Sequence, residues 1–271
     1  IALIVEGFEN RMIIGRNGSP LAVGYGSGEM FIGSDAFALA PFTNRIAYLD
    51  DGDWAVISDK GAEIFAADGS GVTREQVVVD AASAMVDKGN YRHYMSKEIH
   101  EQPEVLSRTF GQYADPENRC VTLPENNIDL ASVKRVVLVA CGTAYFAGLI
   151  GKNWIERYAG IPANVDIASE FRYSEAPLDP KCLAIFVSQS GETADTLAAL
   201  NHCKANGLKT IGIVNVPNSS ITREVDVTLP TYAGPEIGVA STKAFTAQLG
   251  ALAAFSISFA RSPKLVRRQS E

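Results

Sequence analysis

Two rhythms of apolar positions divide the chain. Over residues 1–72 the apolar runs are short, four or five residues, and each is bounded by turn signals. Runs at 1–5, 12–15, 21–24, 30–33, 45–49, 54–58 and 62–65 read as strands. Asn17-Gly18, Asp50-Asp51-Gly52-Asp53 and Asp59-Lys60-Gly61 are the turns between them. Ser34-Asp35 is placed to cap a short helix that ends before Pro41. Residues 73–95 are turn-rich and polar, as in Asp87-Lys88-Gly89-Asn90, and are expected to be a linker. An amphipathic helix is expected over 98–113, beginning near Gln102 because Pro103 suits only a first turn.

From Val133 the rhythm changes. Apolar runs at 135–140, 163–167, 182–187, 210–215 and 225–229 alternate with helix-spaced stretches at 143–159, 192–206 and 242–260. Shorter helical turns are expected at 169–174 and 219–224. Strands apolar throughout, alternating with helices, predict an α/β fold with a parallel sheet covered on both faces. Ligands of such sheets sit outside the carboxyl ends of the strands. Two turns occupy such ends, Cys141-Gly142-Thr143-Ala144 and the stretch from Ser188 to Thr193.

The second turn, Ser188-Gln189-Ser190-Gly191-Glu192-Thr193, concentrates three hydroxyls, an amide and a glycine at a helix start. A helix N-terminus presents free N–H groups and the positive end of its dipole, so the turn suits a phosphate without metal or lysine. It also suits a plain N-cap by Ser190, with Glu192 complementing the dipole. The turn alone leaves both open.

Composition removes several function classes. The 271 residues carry a net charge of −7, which argues against nucleic acid or an anionic membrane surface as the main partner. Four cysteines without C-x-x-C spacing read as free thiols in a reducing compartment. Residues 244–260 are uncharged but short of the ~20 apolar residues that span a bilayer, and a buried helix is expected. No metal site is expected around His93, His100 or His202. Gly142, Gly148 and Gly151 fail the dinucleotide spacing, and residues 148–152 only mimic the end of a phosphate-binding loop. Lys243 could meet an anion or simply be solvated. The chain opens at Ile1 in a strand-like run, and is expected to be a piece of a longer one.

Five strings in fixed order then carry a resemblance. They lie at 91–103, Cys141-Gly142-Thr143-Ala144, 168–173, 188–196 and 236–246. Together with Ser19-Pro20-Leu21, Glu29-Met30-Phe31 and Ser34-Asp35, they resemble the glutamine–fructose-6-phosphate aminotransferase (isomerising) family along essentially the whole chain. The resemblance implies three segments. Residues 1–72 would be the C-terminal part of a glutaminase (Ntn-type) domain, 73–95 a linker, and 96–271 the first sugar-isomerase (SIS) domain. It also implies a cytoplasmic, homodimeric parent making glucosamine 6-phosphate and glutamate from fructose 6-phosphate and glutamine without a cofactor.

By the same resemblance Ser188, Gln189, Ser190 and Thr193 hold the sugar phosphate. Thr143 and Ala144 line the site from the first loop, and Val239 and Ser241 touch the sugar. Many relatives place serine where Ala144 stands, so a backbone N–H or a water must serve there. The family's catalytic groups lie in segments not matched here, so no catalytic residue is assigned and the piece alone is expected to catalyse nothing. Glu156 is left unassigned. The alternative is a non-enzymatic SIS module that binds a phosphosugar to regulate a partner.

Overall fold

Short alternating strands can bury one face only, and they pair here into two antiparallel sheets. The computed structural model describes residues 1–8, 10–18, 20–34, 36–78, 90–125, 128–174 and 177–261. Ser19, Asp35, most of the expected linker and the end of the chain lie outside these residues. The chain divides into two compact units, Ile1–Asp87 and Lys88–Glu271.

In the first unit the strands are β1 (Ala2–Leu3), β2 (Arg11–Gly15), β3 (Ala22–Tyr25), β4 (Met30–Gly33), β5 (Arg45–Tyr48), β6 (Trp54–Ser58), β7 (Gly61–Phe65), β8 (Gly71–Val72) and β9 (Gln76–Val78). One sheet runs β1-β2-β6-β7-β8 and the other β4-β3-β5-β9. Ile14, Ala55, Ile57 and Ile64 of the first meet Val23 and Leu49 of the second in one buried cluster. The other face of the second sheet packs Ala22 and Ile46 on Leu39 of the short helix α1 (Ala36–Leu39). β9 pairs with β5, Val78 opposite Arg45, so this sheet continues past residue 72. Buried Asp53 accepts from Arg74 Nε at 2.7 Å and Nη2 at 2.8 Å.

The second unit opens with α2 (Tyr94–Gly111). This helix starts earlier than its sequence suggests, and Pro103 lies inside it. A proline there removes one N–H to the preceding turn. Pro103 lies on the exposed side, and the packing of Val105 with Ala233, Ala244 and Ala247 on the buried side offsets that loss. A hairpin, β10 (Ala114–Asp115) and β11 (Cys120–Val121), follows.

The sheet strands are β12 (Arg135–Ala140), β13 (Ala163–Ile167), β14 (Cys182–Ser188), β15 (Lys209–Val214) and β16 (Val227–Pro230). They pair in the order β13-β12-β14-β15-β16, every neighbour parallel. All seven residues of central β14 are buried. Leu138, Leu183, Ile185 and Ile213 join one core with Leu252, Phe255 and Phe259. Val139, Ala184 and Phe186 join another with Leu197, Leu200 and Ile221.

The period-two split between those cores reflects a sheet covered on both faces. One layer holds α3 (Gly142–Trp154) and α7 (Lys243–Ala260). The other holds α4 (Ala168–Phe171), α5 (Ala194–Ala205) and α6 (Ser220–Glu224). α3 passes into one turn of π-helix at Ile155–Ala159, where a single helix was expected through residue 159. The uncharged stretch after Lys243 is the buried helix α7. Among the described residues no helix is long and apolar enough to cross a membrane.

Candidate functional site at the carboxyl edge of the sheet

The strand order puts the second strand of the sheet, β13, on one side of the first and the third, β14, on the other. The chain therefore leaves β12 and β14 in opposite directions. Such a switch point opens a crevice at the carboxyl ends of the two strands. The turn after β12 and the turn after β14 border that crevice. They line a cavity of about 280 Å³ with a third segment, 239–241, and Gln248 of α7.

The 188–193 turn is folded by its own hydroxyls. Ser188 Oγ accepts from Gly191 N at 3.0 Å, and Ser190 Oγ accepts from Glu192 N at 3.1 Å. Ser188 Oγ and Thr193 Oγ1 stand 3.3 Å apart. Gly191 has φ +68°, and a Cβ there would lie 2.0 Å from Ser219 Oγ. The Glu192 carboxylate accepts from Ser220 N at 2.7 Å. Thr193, not Ser190, is the N-cap of α5, and its side chain makes no capping bond. The plain-cap reading of this turn is thereby corrected: Ser190 is spent on the turn itself.

Three helices begin around the cavity, and they differ. Thr242, the N-cap of α7, precedes amides already taken: Glu236 Oε1 accepts from Thr242 N at 2.8 Å and from Ala244 N at 3.0 Å. Cys141 of α3 and Thr193 of α5 make no side-chain capping bond. The first-turn amides of a helix have no partner within it. Thr143 and Ala144 lie in that turn of α3, so Ala144 presents a backbone N–H to the site even without a hydroxyl. The residues lining the cavity include no lysine, arginine, histidine or carboxylate. Its chemistry is that of amides, hydroxyls and two helix dipoles, which suits an anion held without a cation.

The third wall is held from α2. Glu98, 1% exposed, accepts from Ile237 N at 2.6 Å and Gly238 N at 3.0 Å, with Thr242 Oγ1 at 3.4 Å from its other oxygen. A Cβ on Gly238 would stand 2.5 Å from Glu98 Oε2. Lys243 is neither solvated nor free for an anion. It is 4% exposed, and its Nζ donates to Glu101 Oε2 at 2.6 Å. Burial alone would raise the Glu101 carboxyl. Hydrogen bonds and charge from Lys243 and Lys97 bring it below the usual carboxylate range. Thr246 Oγ1 donates to Gln102 Oε1 at 2.6 Å.

All eight residues expected at the site come together here: Ser188, Gln189, Ser190 and Thr193 for the phosphate, Thr143 and Ala144 along the first loop, and Val239 and Ser241 for the sugar. Val239 stands fully exposed at the rim, and Ser188 is buried at the base. Cys141, Val187, Ala240 and Gln248 also line the cavity and were not singled out. Gln248 had a visible signal, as the one side-chain amide in the uncharged stretch 244–260. Glu156 points elsewhere, accepting from Ala163 N at 3.2 Å and pairing with Lys152 at 3.3 Å. Among the described residues no cluster of His, Cys, Asp or Glu could hold a metal ion. The four cysteines are free thiols, and burial pushes that of Cys203 up to about 12.

Residues 129–258 match the SIS domain family. Over its whole length the chain is 54% identical to a glutamine–fructose-6-phosphate aminotransferase (isomerising) of Rhizobium meliloti, covering 45% of that protein. It is 50% identical, again over its whole length, to one of Zymomonas mobilis, also covering 45%. The C-terminal domain of glucosamine-fructose-6-phosphate aminotransferase from Francisella tularensis superposes with a TM-score of 0.61 at 44% identity, covering 68% of this chain and 52% of that one. The chain thus spans under half the length of these curated relatives. It carries a SIS domain, and along all 271 residues it is related to the glutamine–fructose-6-phosphate aminotransferases.

Proposed function

We propose that this chain is a segment of an enzyme that converts fructose 6-phosphate and glutamine to glucosamine 6-phosphate and glutamate. Its second unit holds the phosphosugar, and its first is the C-terminal part of a glutaminase domain. The observation that carries the reading is the cavity between β12 and β14. Eight residues expected from the family resemblance line it, in a chain 54% identical throughout to a named aminotransferase. The phosphate sits against the 188–193 turn and the starts of α3 and α5, where amide and hydroxyl donors converge. Val239 and Ser241 bound the sugar.

Isomerisation requires a base to move a proton between C1 and C2. Among the described residues no histidine, lysine or carboxylate lines the cavity, so this step is assigned to groups other than those lining it. The parent is proposed to be a cytoplasmic homodimer whose partners are small molecules rather than nucleic acid or membrane.

Titration of fructose 6-phosphate into the full chain, followed by amide NMR, tests the reading. Amides 188–193 are expected to shift saturably, while glucosamine 6-phosphate does not form with glutamine present. Unmoved amides at saturating ligand, or product formation by this chain alone, would overturn it.

A further inference from the structure

Gln248 lies on α7 six positions in, 2% exposed, and lines the phosphosugar cavity. Its Oε1 is buried and has no hydrogen-bond partner among the described residues. Burying a carbonyl oxygen without a donor is costly, so such an atom calls for an explanation. The neighbouring helix contacts do not supply one, because residues 244, 247, 251 and 252 around it are apolar. The cavity offers one: Gln248 lines it, and a turn of the carboxamide about its last, soft torsion can bring the covered oxygen round to the side from which a donor comes.

The chemistry of the donor follows from what Oε1 is. A carboxamide oxygen only accepts. A phosphate dianion offers only acceptors, so it is a poor neighbour for this atom and a good one for the 188–193 turn. A sugar hydroxyl donates. From this complementarity we infer that the Gln248 carboxamide is a specificity-determining group of the site, accepting a hydrogen bond from a hydroxyl on the sugar part of the bound phosphosugar. The inference rests on the phosphosugar reading and deepens it: phosphate is recognised by the turn, and the polyol by α7. A site with a buried acceptor also disfavours ligands that lack the matching hydroxyl, because the acceptor then stays unpaired.

The test uses the full chain with Gln248→Met, which keeps length and removes the acceptor. Calorimetric titrations are run with fructose 6-phosphate and with inorganic phosphate. The variant is expected to bind fructose 6-phosphate about tenfold more weakly, to bind inorganic phosphate unchanged, and to melt no lower than the wild type when ligand-free. The last follows because an orphan acceptor has been removed rather than a bond broken. A wild-type chain that binds fructose 6-phosphate with an unchanged variant overturns the inference alone. Equal loss for both ligands overturns it too, placing the carboxamide on the phosphate. A wild-type chain that binds neither overturns the phosphosugar reading itself. If the variant does not fold, the side-chain amide signals of Gln248 in the wild type decide. They shift with fructose 6-phosphate and not with inorganic phosphate, or the inference falls.

Discussion

A glycine at position 191, in a turn at the carboxyl edge of the sheet, would leave the backbone bare enough for a ligand to come close. The structure gives a different reason for the same residue. The φ of +68° falls where a Cβ is strained, and Ser219 and Val214 of the next crossover fill the space a Cβ would need. A left-handed backbone costs an ordinary residue about 1–2 kcal/mol, and a 2.0 Å approach to Ser219 Oγ must be relieved by movement. Gly191→Ala is expected to lower stability by about 2 kcal/mol or more and to displace Ser188 Oγ from Gly191 N. Urea denaturation measures the first. Loss of saturable fructose 6-phosphate shifts at amides 188–193 measures the second. The hydroxyls of this turn were legible because they are crowded into six residues. Ser219 was not, since only the tertiary fold brings it beneath the turn.

Among the elements, α2 was the one whose sequence misled most. Pro103 suggested a late start, yet helix runs from Tyr94, because tertiary burial of Glu98, Val105 and Thr109 outweighs one missing N–H. Its role in the site has no local signature at all. Glu98 meets Ile237 and Gly238 across about 140 residues of chain, which no periodicity encodes. Glu98→Gln keeps the shape and gives up the charge that strengthens both bonds. The segment 237–242 is expected to loosen, with stability falling by about 1–2 kcal/mol. Faster amide hydrogen exchange at Ile237 and Gly238, with exchange in β14 less affected, would be the sign; unchanged exchange there would refute the clamp. The parallel strands were far easier to read, since continuous apolar runs between helical stretches leave little choice. Their order was not legible, because five such runs look alike until the chain chooses sides around β12.

For the molecule as a whole, carboxylates in both units tie stability to pH. Burial opposes ionisation of Asp53, but the Arg74 hydrogen bonds and charge bring it below its usual value. Glu101 behaves likewise beside Lys243 and Lys97. So does Asp226, which is held by Lys209 and Thr210. Each is lowered in the folded state, so each contributes stability in full above its unfolded value of about 4. That contribution is lost as pH falls through the lowered folded values. Denaturation midpoints are expected to be flat from pH 6 to 8 and to drop steeply below about pH 4. Glu101→Gln should flatten the acid limb and lower the plateau, because Lys243 is then buried without its partner. An acid limb identical to wild type would show that the pair does not carry this dependence.

The reach of Glu98, Glu101, Gln102 and Val105 toward residues 233–246 bears on where this domain begins. The segment that matches the SIS family starts at residue 129. That boundary encloses the sheet and its covering helices, but it severs the site's third wall from the carboxylate that fastens it. It also strips the apolar cover from the start of α7. A recombinant piece designed on the family boundary would keep the scaffold and lose the strap. The compact unit that carries the cavity, as opposed to the recognisable family segment, starts at or before Tyr94.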